Sequence, residues 1–165
     1  MDTLPQQGKI TWIGLRPEKK ATMLVVDSVQ ATTDNGLLGD RYSGRTGKRQ
    51  VTLIQQEHLD VIASVMAIPT CSPEMLRRNI VVHGLNLLSL KNKQFRIGET
   101  VLEYTGLCHP CSFMEDVFGD GGYNAVRVHG GITARIVQNG TIKLNDRITV
   151  EAADKNKLTA ASTLI

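Results

Sequence analysis

Two cysteines three residues apart, Cys108 and Cys111, are where this sequence is best equipped for chemistry. They lie in Thr105-Gly-Leu-Cys-His-Pro-Cys-Ser-Phe-Met-Glu115, between a strand-like run and a helix-like run. A thiol at the start of a helix meets backbone N–H groups and a dipole end that favour negative charge, and the thiolate is the reactive form of cysteine. Several readings of the pair stay open. Two small buried residues are one, although Gly106 and Pro110 mark an exposed turn. A thioredoxin-like redox pair is another, but it belongs in a βαβ pattern. A zinc site would have to recruit Cys71, His83 and His109, since no second Cys-x-x-Cys is present. The last is a nucleophilic or metal-ligating thiolate at Cys111, with Cys108 as neighbour or resolving thiol.

A second constellation is Gly36-Leu-Leu-Gly-Asp-Arg-Tyr-Ser-Gly44, followed by Arg45, Lys48 and Arg49. The glycines permit tight backbone. Asp40 and Arg41 can pair or present an anion fork, and Arg45 and Arg49 add positive charge. The spacing fits neither a Walker loop nor a dinucleotide fingerprint. Arg77-Arg78-Asn79 leads into an apolar run, and adjacent side chains there face opposite ways. Arg127-Val-His-Gly-Gly-Ile-Thr-Ala-Arg135, with Asn124 before it, offers a further anion contact through Arg127 and Arg135. His58 is expected on a helix surface and His109 beside the thiols. No Ser-His-Asp order or paired carboxylates stands out.

The elements that must position these residues are mostly strands. Apolar, partly alternating runs cover residues 9–15, 23–31, 51–54, 79–83, 94–97, 101–105, 134–138 and 147–150. Asn139-Gly140, before 141–144, reads as a hairpin turn. Helices are expected over 55–66, 112–118 and 122–128. Ser112 and Glu115 match a capping box that would start the second near Cys111. Many short strands with few short helices give a mainly β, barrel-like fold. The 165 residues suit a single domain, with a core at about 9–150 and 151–165 as a tail.

Composition narrows the function classes. A net charge of +3 with aromatics at 4 % argues against nucleic-acid binding. No transmembrane stretch and no signal-peptide pattern is visible, so no membrane role is expected. An odd count of three cysteines is no disulfide framework, and a reducing cytoplasm is the expected setting.

Taken together, Gly36-Leu-Leu-Gly-Asp-Arg-Tyr-Ser-Gly44, Arg49-Gln-Val-Thr-Leu-Ile54, Leu76-Arg-Arg-Asn-Ile-Val-Val82, Phe95-Arg-Ile-Gly-Glu99 and Gly106-Leu-Cys-His-Pro-Cys111 resemble the MOSC domain. That domain occurs at the C-terminus of molybdenum cofactor sulfurases and as small stand-alone bacterial proteins. The resemblance runs from about residue 9 to residue 150, in the family's order. It implies a β-barrel-like fold and one functional cysteine, matching Cys111. It further implies that Cys111 carries sulfane sulfur as a persulfide. The sulfur would come from a partner cysteine desulfurase, which holds the pyridoxal phosphate, and would go to metal–sulfur cofactor assembly or a molybdenum-cofactor enzyme. In relatives that reduce N-hydroxylated compounds, the matching cysteine ligates molybdenum of the molybdopterin cofactor. Asp40, Arg41, Arg45, Arg49, Arg78 and Asn79, with Asn124, Arg127 and Arg135, would then face the cofactor. The chain departs from longer members in having Leu76-Arg-Arg-Asn where Gly-Glu-Asn is common. It also has no ferredoxin-like cysteine set and no pyridoxal-phosphate domain.

Overall fold

The computed structural model describes residues 3–42 and 47–151. The chain is mainly β. Strands β1 (Gly8–Leu15), β2 (Leu24–Val26), β3 (Ser28–Thr32), β4 (Gly36–Leu37) and β5 (Val51–Gln55) precede helices α1 (Gln56–Met66) and α2 (Pro73–Leu76). Strands β6 (Ile80–His83), β7 (Gln94–Ile97) and β8 (Thr100–Leu107) follow, then helices α3 (Phe113–Phe118) and α4 (Gly122–Val126). Strands β9 (Ile132–Gln138), β10 (Gly140–Lys143) and β11 (Arg147–Val150) complete the described chain.

Seven strands close into a barrel in the order β11-β7-β8-β9-β5-β6-β1, with β1 returning to β11. Pairing is antiparallel except between β5 and β6, which are parallel because α1 and α2 carry the chain back between them. The barrel interior holds Ile10, Leu53, Ile80, Phe95, Leu102 and Ile132 among others. A second cluster lies outside the wall, where Ile54 and Val81 meet Leu59 and Ile62 of α1. The period of two explains both faces: Val51 and Leu53 point into the barrel, and Ile54 points at the helix. β5 is therefore buried along its whole length. Each fully buried Leu or Ile contributes roughly 1.5–3 kcal/mol. Among the described residues no helix is long and apolar enough to cross a membrane.

Two expectations about strands are overturned. The run 23–31 is not one strand: it breaks at Asp27, so that β2 pairs with β1 while β3 pairs with β10. Asn139-Gly140 makes no hairpin, because β9 pairs with β5 and β8, and β10 leaves for a separate sheet of order β10-β3-β4. Neither residue takes the positive φ that a two-residue hairpin turn needs. Asn139 Oδ1 instead accepts from Thr33 N at 2.8 Å. Gly140 serves close approach, since a Cβ there would stand 2.7 Å from Thr100 Oγ1. Helix α2 was not anticipated. Pro73 at its first turn and Ser72 before it are a weak start signal for only four residues.

A buried polar network fixes the lead-in to β6. Asp40 accepts from Arg16 N and Nε at 2.7 and 3.1 Å through Oδ1, and from Arg16 Nη2 at 2.9 Å through Oδ2. Asn79 Nδ2 donates to Gly14 O and to Asp40 Oδ1, at 3.0 and 3.1 Å. Its Oδ1 accepts from Arg16 Nη2, Thr52 N and Thr52 Oγ1. Three segments distant in sequence are thereby tied to β5 and β6, and Arg78 is held just before Asn79. Asp40→Ala leaves the Arg16 cation buried without its carboxylate, so a loss of about 3–5 kcal/mol is expected in urea unfolding. The half-exposed Arg135–Glu103 pair is the control: Arg135→Ala should cost under about 1 kcal/mol.

Candidate functional site

The cysteine turn leaves the barrel at the end of β8. Cys108 N donates to Gly131 O at 2.9 Å, which turns the Cys108 side chain inward to 3 % exposure. His109 and Pro110 carry the chain out, and Cys111 is exposed immediately before α3. All three cysteines are free thiols. The anticipated capping box is absent. Ser112 has helical φ and ψ of −55° and −25° and makes no side-chain cap, whereas a capping residue is extended. The Glu115 carboxylate accepts from Gly121 N and Tyr123 N, both at 3.0 Å, and so ties α3 to α4. The first helical N–H groups are spent on carbonyls: Met114 N on Cys111 O and Glu115 N on Ser112 O. A six-residue helix in this state is not what attracts an anion to the turn.

The positive charge comes from Arg78. Its side chain is buried, with Nε donating to Gly130 O at 2.7 Å and Nη1 to Leu76 O. Among the described residues no carboxylate pairs with it. Burial lowers its pKa. Cys108 is the leading influence in the opposite direction, Arg49 and Arg16 add to the lowering, and Cys111 again opposes it. The guanidinium and the cysteine turn share one backbone segment, since Arg78 Nε bonds Gly130 O and Cys108 N bonds Gly131 O. A buried cation is costly unless an anion faces it.

The Arg127–Gly131 segment forms the opposing wall. Val128 has a φ of +69°, rare for a β-branched residue and a mark of stored strain near a site. A Cβ on Gly131 would stand 2.0 Å from Leu53 O, and one on Gly130 2.4 Å from Cys108 O, so neither position accepts a side chain. Between this wall and the turn lies a cleft of about 300 Å³, lined by Leu107, Cys108, Pro110, Tyr123, Arg127 and Val128 among others. His129 is braced from α1: its ring is 5.0 Å from that of His58, edge to face. His58 is thus half-buried against the site wall rather than on an open surface. Its pKa is lowered by burial first and by His129 second, with Glu57 opposing.

The other residues singled out from the sequence fall into distinct places. Arg49 is exposed, and its charge reaches Arg78. A cleft of about 350 Å³ runs along Tyr42, Lys48 and Arg49. Arg41 is exposed, and its guanidinium lies 4.5 Å from the Tyr42 ring centre, with Arg16 at 4.4 Å. Asp40 and Asn79 belong to the buried network, bonded to Arg16, Thr52 and backbone. Arg135 is paired with Glu103 at 2.7 Å on the barrel wall. Asn124 is exposed on α4, and Arg45 lies outside the described residues. Arg77 donates to Ala21 O and Glu18 O, which ties down the 18–21 turn. The four-ligand zinc arrangement is not assembled. Cys71 packs with α1, His83 lies 3.9 Å from Glu57, and no three metal-ligating side chains converge among the described residues. Sequence reasoning passed over Arg16, Tyr42, Tyr123 and the His58–His129 contact. For Arg16 a signal existed, a charged residue closing a strand otherwise buried at its end.

Reactivity should follow exposure. Burial pushes the Cys71 thiol up to about 11. Alkylation at pH 8 should therefore modify exposed Cys111 before the buried Cys71 and Cys108, as read by peptide mass spectrometry. Because His58 binds its proton less readily in the folded chain, the unfolded chain gains protons first as pH falls. Stability is full above about pH 6.5 and declines below it. Urea midpoints at pH 7.5 and 5.5 should show that decline, and it should be smaller in His58→Gln.

Comparison with known proteins agrees with this architecture. The structure superposes on the YuaD protein from Bacillus subtilis with a TM-score of 0.77 at 20 % identity, covering 90 % of this chain and 98 % of that one. YiiM from Escherichia coli matches with a TM-score of 0.68 at 16 % identity, covering 91 % and 72 %. YiiM from Geobacillus stearothermophilus matches with a TM-score of 0.70 at 14 % identity, covering 88 % and 75 %. Likeness at these identities establishes the fold. Among curated proteins, none matches by sequence. The profile of the MOSC domain matches residues 29–149, most of the chain, and the protein therefore belongs to the MOSC domain family.

Proposed function

We propose that this MOSC protein is a sulfur carrier, a sulfur transferase component in which Cys111 accepts sulfane sulfur as a persulfide. The sulfur comes from a partner cysteine desulfurase, where pyridoxal phosphate does the chemistry, and goes on to metal–sulfur cofactor assembly. The observation that carries this reading is an exposed free thiol in the turn that shares the Gly130–Gly131 backbone with a buried guanidinium, which has no carboxylate of its own among the described residues. A carrier thiol must be reachable by a second protein, and its anionic form needs a cation that does not neutralise itself elsewhere. Arg78 meets the second condition because its N–H groups are spent on carbonyls, which orient it without cancelling its charge. Free thiols at all three cysteines suit a reducing compartment such as the cytoplasm.

A second reading rests on a separate observation: Arg41, Arg49 and Arg127 supply more positive charge than one persulfide requires. Here Cys111 would ligate molybdenum of a molybdopterin cofactor, and the protein would act in reducing N-hydroxylated compounds with an external electron donor. The donor set fits a cofactor that brings most of its own metal coordination, because the chain offers one exposed thiol and no cluster of three metal-ligating side chains among the described residues. Cys111 would hold the metal, and Arg49 and Arg127 would hold anionic groups by charge-assisted hydrogen bonds. When bound, such a cofactor supplies electron transfer at the metal. The residues of this chain bind and orient it.

The test is incubation with a cysteine desulfurase and cysteine, followed by mass spectrometry of the Cys111 peptide. A gain of one sulfur atom is expected, and none in Cys111→Ser. Equal gain in both proteins would overturn the carrier role. Molybdenum at stoichiometric level in protein from a cofactor-competent host, and absent from a deficient host, would favour the second reading instead.

A further inference from the structure

We propose that the two thiols divide the work: sulfur is captured on exposed Cys111, then transferred to buried Cys108, where it rests facing the cleft. This inference rests on the carrier reading and adds where the sulfur is stored and handed over. Three observations point to it. First, the cleft is lined by Cys108, while Cys111 stands in solvent outside its lining. Second, Cys108 is 3 % exposed, although its residue borders a space of about 300 Å³, large enough for an added sulfur atom and part of a recipient. Third, Arg78 Nε donates to Gly130 O and Cys108 N donates to Gly131 O, so the buried cation is anchored on the same backbone segment as the inner thiol's residue.

The two cysteines are three residues apart across His109-Pro110, a Cys-x-x-Cys spacing. Exchange proceeds by thiolate attack on the outer sulfur of the Cys111 persulfide. A bond forms between Cys108 Sγ and that sulfur as its bond to Cys111 Sγ breaks. Cys111 leaves as a thiolate, the proton on the outer sulfur stays with it, and the proton lost by Cys108 passes to water. One S–S bond replaces another, the outer sulfur keeps its oxidation state, and no reductant is consumed. Capture and storage have opposed needs. A donor protein must reach the first thiol, whereas a stored persulfide survives only where oxidants and free thiols do not.

The wild-type protein tests this directly. It is loaded for one minute with a desulfurase and cysteine, freed of both, and denatured after set intervals in excess alkylating reagent. Peptide fragmentation at the His109–Pro110 bond then assigns the extra sulfur to one thiol. The expected course is sulfur on Cys111 at first and on Cys108 for most of the loaded molecules later. Cys108→Ala should still take up sulfur on Cys111, yet lose it to glutathione several-fold faster than the wild type. Sulfur that stays on Cys111 at every interval overturns the transfer while leaving the carrier reading intact. A Cys108–Cys111 disulfide with release of hydrosulfide also overturns it, because attack then falls on the inner sulfur. No sulfur on either thiol overturns the carrier reading and the transfer with it.

Discussion

One buried positive charge organises the site. Among the described residues Arg78 bonds the carbonyls of Gly130 and Leu76, and carbonyls orient a guanidinium without discharging it. The barrel meets the cost of that burial in two ways. The Arg16–Asp40–Asn79–Thr52 network anchors the residue that follows Arg78. The Arg127–Gly131 segment supplies Gly130 O from the other side. The cation is thus held from both sides, on the backbone segment that also bonds Cys108 N. The helix start, which the order of residues made the natural candidate for this role, contributes little because its N–H groups already bond Cys111 O and Ser112 O.

Much of this was legible in the sequence, for physical reasons. Strands with one face in the barrel and one outside alternate cleanly, so β7 and β11 coincide with their expected bounds. The resemblance found from the ordered glycine and arginine segments holds over residues 29–149. The cysteine turn was visible because thiols with this spacing are rare by chance. What escaped detection depends on long-range partners. Glu115 reads as a capping residue until Gly121 and Tyr123 are seen to take its oxygens. Asn139-Gly140 reads as a hairpin until Thr33 claims the asparagine and Thr100 crowds the glycine. Asp40 and Arg41 are adjacent in sequence, yet one is sealed in a network with Arg16 and the other lies open over Tyr42.

The arginines therefore fall into three kinds of environment. Arg16 is cancelled by Asp40, and Arg135 by Glu103. Arg77 ties down a turn through carbonyls. Arg49 and Arg127 border the open side, where their charge is available to a ligand or partner. Net charge alone could not distinguish these environments, since the chain is only mildly basic overall. Asp40, the carboxylate beside Arg41, does not offset the exposed arginines, because Arg16 and Asn79 already engage it.

Gly131 lies against Leu53 O so closely that no methyl group fits between them, and Leu53 belongs to the interior of the barrel. The backbone that lines the sulfur-bearing cleft is therefore also the backbone that closes the protein's central stave. Cleft and barrel meet at this one backbone contact, so any side chain introduced at 131 would push the cleft wall and β5 apart together.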